Sequence, residues 1–196
     1  MSFTFQKYPQ QCAARRLHWR DVNRLSAFQR PPRPLYGWLR DPGSLTAKLI
    51  SLSDGNFRVD VLHQAYAYPT LAERLALGMR QRHLALIREV VLYGNNEPWV
   101  FARSVLPTTT LTGRLRRLRK QGSQPLGAFL FSLPNLQRGA LTAAPIAPHH
   151  GYLPPALHQE ALVWGRRSRF SVDGKALLVS EVFLDSLTRR LCPPMN

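Results

Sequence analysis

Residues 84–107, LALIREVVLYGNNEPWVFARSVLP, constrain the fold more than any other stretch of the chain. Two runs rich in branched and aromatic side chains flank Gly94-Asn95-Asn96. Short Gly/Asn clusters between such runs suit the tight turn of paired, twisted strands, so the stretch reads as an antiparallel hairpin.

Side chains alternate across a strand, which places Leu84, Leu86, Arg88, Val90 and Leu92 on one face with Arg88 as its only polar member. A guanidinium is not neutralised in a protein, and burying it without a partner costs several kcal/mol, so an anion is expected to meet it. The second run repeats the pattern with Trp99, Phe101, Arg103 and Val105 on one face. Downstream, Leu177, Val179, Glu181 and Phe183 form another apolar row, interrupted by a carboxylate. Two arginines and one glutamate are thus expected to point into apolar surroundings. A structural ion pair, or an arginine reaching the sheet edge, satisfies the same pattern as a ligand site does.

The 196 residues suit one domain with a core and room for an internal cavity. Lys and Arg number 27 against 11 acidic residues, and a net charge of +16 attracts small anions and polyanions alike. Cys12 and Cys192 stand near opposite ends, without metal spacing or a disulfide framework, which suits a reducing compartment. No run resembles a membrane span or a secretory signal, so a cytoplasmic protein is expected; a monomer is taken as its state.

Residues 1–37, Arg-rich and broken by Pro31, Pro32 and Pro34, are expected to form a loosely attached arm with a short helix over 16–28. The domain proper is expected over 38–190. Ser44 caps a predicted helix bearing Leu45, Leu49 and Leu52, and Phe57, Val59 and Val61 alternate as a half-buried strand. Thr70 caps a helix over 71–77 that Gly78 ends. Residues 111–121 have amphipathic helical spacing, and Pro125 opens a turn that packs Leu126, Phe129 and Leu130 inward. Residues 133–158, rich in Pro, Ala and Gly, are expected to form a long loop or edge segment. Asp173-Gly174 joins the strands of a second hairpin over 161–184.

Several chemistries lack their parts. There is no G-x-G-x-x-G, Walker loop, G-x-S-x-G or H-E-x-x-H, and His149-His150 stand without nearby Cys or carboxylate, so no metal is expected. The basic run 114–120 lacks interleaved aromatics and reads as the solvated side of a helix, so nucleic acid is not an expected partner. In 164–170, Trp164, Arg166, Ser168 and Phe170 alternate with Gly165, Arg167 and Arg169, leaving one face basic.

Five blocks occur in one order: WLRDPGSLT (38–46), IREVVLYGNNEPWVFARSVLP (87–107), QGSQPLGAFLF (121–131), WGRRSRF (164–170) and LLVSEVFL (177–184). In these the chain resembles the chorismate-pyruvate lyases, which convert chorismate to 4-hydroxybenzoate and pyruvate for ubiquinone synthesis. The resemblance implies an α+β fold, a single antiparallel sheet of about six strands flanked by short helices, and an internal ligand cavity under helical flaps. It implies ligand contacts at Arg88, Leu126, Glu181 and Leu45, with Leu45 standing where some members carry methionine. Gln121 replaces a usual leucine.

On this resemblance Arg88 takes the ring carboxylate. Glu181, as a carboxylic acid of raised pKa, donates a hydrogen bond or proton to the departing enolpyruvyl group. Aromatisation drives the elimination, so no cofactor is expected. Ligand-sensing domains of GntR-type transcription regulators share the implied fold, and an anion-binding module without turnover is the alternative.

Overall fold

A computed structural model describes residues 17–193. Residues 1–16, with Cys12 and most of the expected arm's first half, lie outside the described residues. Along the rest the chain runs β1 (Arg20–Asp21), α1 (Arg33–Arg40), α2 (Leu45–Leu52), β2 (Phe57–Ala67), α3 (Leu71–Leu77), β3 (Ala85–Gly94) and β4 (Glu97–Pro107). There follow α4 (Leu126–Phe131), β5 (Leu136–Arg138), β6 (Thr142–Ile146), β7 (Val163–Val172), β8 (Lys175–Phe183) and α5 (Asp185–Leu191).

All strand pairs are antiparallel, and the eight-stranded sheet has the order β1-β6-β7-β8-β4-β3-β2, with β5 also paired to β7. Its centre is the two expected hairpins laid side by side through β4 and β8. Asn95 and Asn96 adopt φ of 52° and 64°, and Asp173 and Gly174 adopt 50° and 76°. Two consecutive left-handed residues give the turn whose twist matches that of the strands it joins.

The class expected from sequence holds, with more strands than the six expected. The additional pairing comes from 133–158, where β5 and β6 lie end to end along one edge of β7. Alternation could not reveal β6, because Thr142-Ala143-Ala144-Pro145-Ile146 has almost no contrast between its faces. Pro145 is tolerated because the short β1 covers only Thr142 and Ala143, leaving Pro145 at an edge.

Residues 20–37 are seated on the fold rather than detached from it. Val22, Leu25 and Leu35 are buried in the main cluster, and the expected helix over 16–28 is replaced by β1 and two 3-10 turns, Val22–Arg24 and Ala27–Gln29. The prolines that suggested a loose segment serve as helix starters, with Pro32 preceding α1 and Pro34 in its first turn. The helix expected over 111–121 winds instead as a 3-10 helix, Gly113–Lys120, which still buries Leu115 and Leu118.

The front face of the sheet is covered in two parts. Helices α1, α2 and α5 bury Leu35, Leu39, Leu45, Leu49 and Leu187 against Val90, Trp99 and Phe183. Helix α4 and the 3-10 helix bury Leu130, Leu115 and Leu118 against Leu86, Phe170 and Val179. On the back, α3 and the segment around Tyr152 and Leu157 close over Ile87, Val91, Phe101 and Val182.

Candidate active site

Between the two front clusters lies a cavity lined by the side chains that parity and resemblance had singled out, Arg88, Glu181, Leu45 and Leu126. Strand pairing aligns them: Arg88 lies opposite Ser104, and Glu181 lies between Ala102 and Arg166, so all five side chains share the front face. Val59, Val90, Leu92 and Val179 complete the apolar floor, and α2 and α4 form the roof. Ser44 starts α2 by accepting from the Ala47 amide, as its sequence implied.

The expected row Trp99, Phe101, Arg103 and Val105 is broken. A register shift opposite Leu92 and Tyr93 places Trp99 in a bulge and turns it to the front, while Phe101, Arg103 and Val105 face the back. Arg103 is therefore no part of the cavity. It donates to Glu73 at 2.7 Å and to Glu89 at 2.5 Å behind the sheet, all three buried.

Arg88 is only 2% exposed. Its Nη1 donates to the Gln64 side-chain carbonyl at 2.8 Å and its Nη2 to the Gln124 carbonyl at 3.3 Å. Among the described residues no carboxylate pairs with it, and burial pushes its pKa below the usual arginine range. It is a desolvated cation held by neutral groups, which is what a site for an anion requires.

Glu181 is one half of an ion pair rather than the neutral acid expected at this position. Arg166 Nε donates to its Oε2 at 2.6 Å. Arg166 is 1% exposed and is locked by two further bonds from Nη1, to the carbonyls of Trp38 at 2.7 Å and Asp41 at 2.9 Å. A guanidinium so fixed orients the Glu181 side chain as an acceptor on the cavity wall.

The sequence reading did not single out Arg138, which also lines the cavity. Its Nε donates to Ser168 Oγ at 3.0 Å, and its Nη1 donates to the carbonyls of Pro42 at 2.7 Å and Gly43 at 3.1 Å. Arg166 and Arg138 together thus pin the 38–43 segment that leads into α2. The turn has its own brace, since the Gly43 amide donates to Asp41 Oδ1 at 2.6 Å and Lys48 pairs with the same carboxylate.

A cavity of branched side chains with more guanidinium groups than carboxylates in its lining defines a protein that encloses a small organic anion. Residues 13–191 match the family model described as chorismate lyase, and the chain belongs to that family. It is 42% identical over 171 residues to the probable chorismate pyruvate-lyase of Aromatoleum aromaticum, covering 82% of this chain and 92% of that protein. With the probable chorismate pyruvate-lyase of an Azoarcus species it shares 44% identity over 180 residues, covering 83% and 92%. In fold it is similar to the crystal structure of PhnF from Mycobacterium smegmatis, with a TM-score of 0.51 at 16% identity, covering 74% of this chain and 65% of that one. No described helix is long and apolar enough to cross a membrane.

Proposed function

We propose that the protein binds chorismate in this cavity and converts it to 4-hydroxybenzoate and pyruvate. The observation that carries the reading is Arg88, a buried guanidinium without a carboxylate partner among the described residues, sharing one apolar cavity with a fixed Glu181–Arg166 pair. The ring carboxylate of chorismate completes Arg88 in a bidentate pair, which offsets the desolvation of both ions.

In the reaction the C3–O bond breaks, C4 loses its hydrogen as the ring aromatises, and enolpyruvate gains a proton to become pyruvate. The C4 hydroxyl remains as the phenol. Cleavage of C3–O leaves positive character on the ring, and an ionised Glu181 stabilises it while accepting from the C4 hydroxyl. The ion pair thus favours an accepting role for Glu181 over donation to the leaving group. Leu45 and Leu126 close on the ring from the two roof helices and exclude water. The same reading takes the enzyme as a cytoplasmic monomer that needs no added cofactor.

The test is to incubate purified protein with chorismate and no additions and to follow 4-hydroxybenzoate and pyruvate together. Equimolar formation of both is expected. Tight binding of 4-hydroxybenzoate without turnover would instead assign the chain to the anion-sensing alternative. Because the roof must open for an aromatic product to leave, a burst of 4-hydroxybenzoate in the first turnover is also expected.

A further inference from the structure

The charged lining of the cavity is unbalanced. Arg88, Arg138 and Arg166 face a single carboxylate, Glu181, so two positive charges are in excess. Nearby Asp41 lies outside the lining, is paired with Lys48 and offsets the excess only in part. A benzoate satisfies only one of the two.

The two uncompensated cations are identifiable. Arg166 is neutralised by Glu181, whereas Arg138 bonds only a hydroxyl and two backbone carbonyls and keeps its full charge. Its Nη2 has no protein acceptor among the described residues. Burial and the neighbouring Arg166 push its pKa down to about 10, although Glu181 and Asp41 pull the other way.

Arg138 and Arg88 also stand at opposite ends of the cavity. In the sheet β5 lies beyond β7, β8 and β4 from β3, four strand steps away. At the usual strand spacing this is about 19 Å between backbones, and both side chains line the one cavity between them. A ligand that engages both must be longer than one ring with one acid group.

We propose that Arg138 is a second carboxylate receptor, which binds the enolpyruvyl carboxylate of the substrate while Arg88 binds the ring carboxylate. This rests on the chorismate reading and adds to it a specificity element. A dianion leaves the cavity electrically neutral, and the monoanionic ring product does not. The interaction to Arg138 is lost with the pyruvyl group, so it favours the substrate side of the reaction over the retained product.

The experiment compares two unreactive ligands by calorimetry: 3-(carboxymethoxy)-4-hydroxybenzoate, which carries both acid groups at the substrate's positions, and 4-hydroxybenzoate. Arg138→Met is expected to weaken the dianion about 30-fold or more while changing 4-hydroxybenzoate less than about threefold. In turnover it should raise KM for chorismate more than it lowers kcat. Equal losses for the two ligands would show that Arg138 only braces the 42–43 turn, and no loss for either would remove it from the site. Each outcome overturns the proposal. Arg138→Gln keeps a donor near Ser168 without the charge, and is measured in the same way should methionine destabilise the fold. Wild-type protein that binds the dianion through Arg138 yet does not cleave chorismate would refute the lyase reading alone.

Discussion

Arg88 weakens the empty protein and serves the filled one. Its burial without a carboxylate disfavours the charge it cannot lose, and only a bound anion offsets that cost. Arg88→Ala is therefore expected to leave the thermal stability of the ligand-free protein equal or higher, while weakening 4-hydroxybenzoate by roughly 2–5 kcal/mol. Melting curves and calorimetry on one preparation check both halves, and unchanged affinity would remove Arg88 from the site. Glu181→Gln keeps shape but leaves Arg166 without its anion, so turnover should fall further than affinity. Arg88 and Glu181 were legible in the sequence because each is a lone charge in an apolar row. Arg166 is likewise the lone charge of the row Trp164, Arg166, Ser168 and Phe170, but Arg167 and Arg169 on the opposite face mask it. Arg138 gave no such signal, because β5 is three residues long and three residues establish no alternation.

At the scale of elements, the roof is two short helices in close contact. A methyl group added at Gly127 in α4 would stand 3.0 Å from Thr46 Oγ1 in α2, tighter than ordinary packing allows. Gly127→Ala should push α4 away from α2 and loosen the closed state. The expected cost is about 1–3 kcal/mol in 4-hydroxybenzoate affinity, with a smaller burst amplitude because the product no longer waits for the roof to open. Calorimetry with rapid-quench turnover reads both, and wild-type values for each would show that the α2–α4 contact does not gate the cavity. Elements with chemical punctuation were the legible ones. Thr70 and Glu73 form a reciprocal capping box at the start of α3, and Gly78 ends it with φ of 65°. Strand β6 carries no punctuation and little contrast, and only its partners β7 and β1 define it.

At the scale of the molecule, the sheet separates two buried charge clusters that solve opposite problems. The front one is left short of anions and is open to a ligand. The back one joins Arg103 to Glu73 and Glu89, and so holds α3 against the sheet. Burial alone would raise the Glu73 pKa, but Arg103 beside it prevails and holds it below the ordinary 4.5. A carboxylate with a depressed folded pKa adds stability that is fully present above 4.5 and is lost as pH falls through the lower folded value. Wild-type protein should therefore hold its stability down to that region and lose it on further acidification. Arg103→Met reverses the sign. It removes the guanidinium to which both buried carboxylates are bonded, at a cost of about 3–5 kcal/mol near neutral pH. With Arg103 gone, burial dominates and the folded pKa of Glu73 rises above the unfolded one, so its protonation lowers the cost and the variant gains stability as pH falls towards 4.5. Denaturant unfolding at a series of pH values between neutrality and that point should show a flat profile for the wild type and a rising one for the variant on acidification. Parallel profiles would mean that α3 is held by its apolar contacts and not by the ion triad.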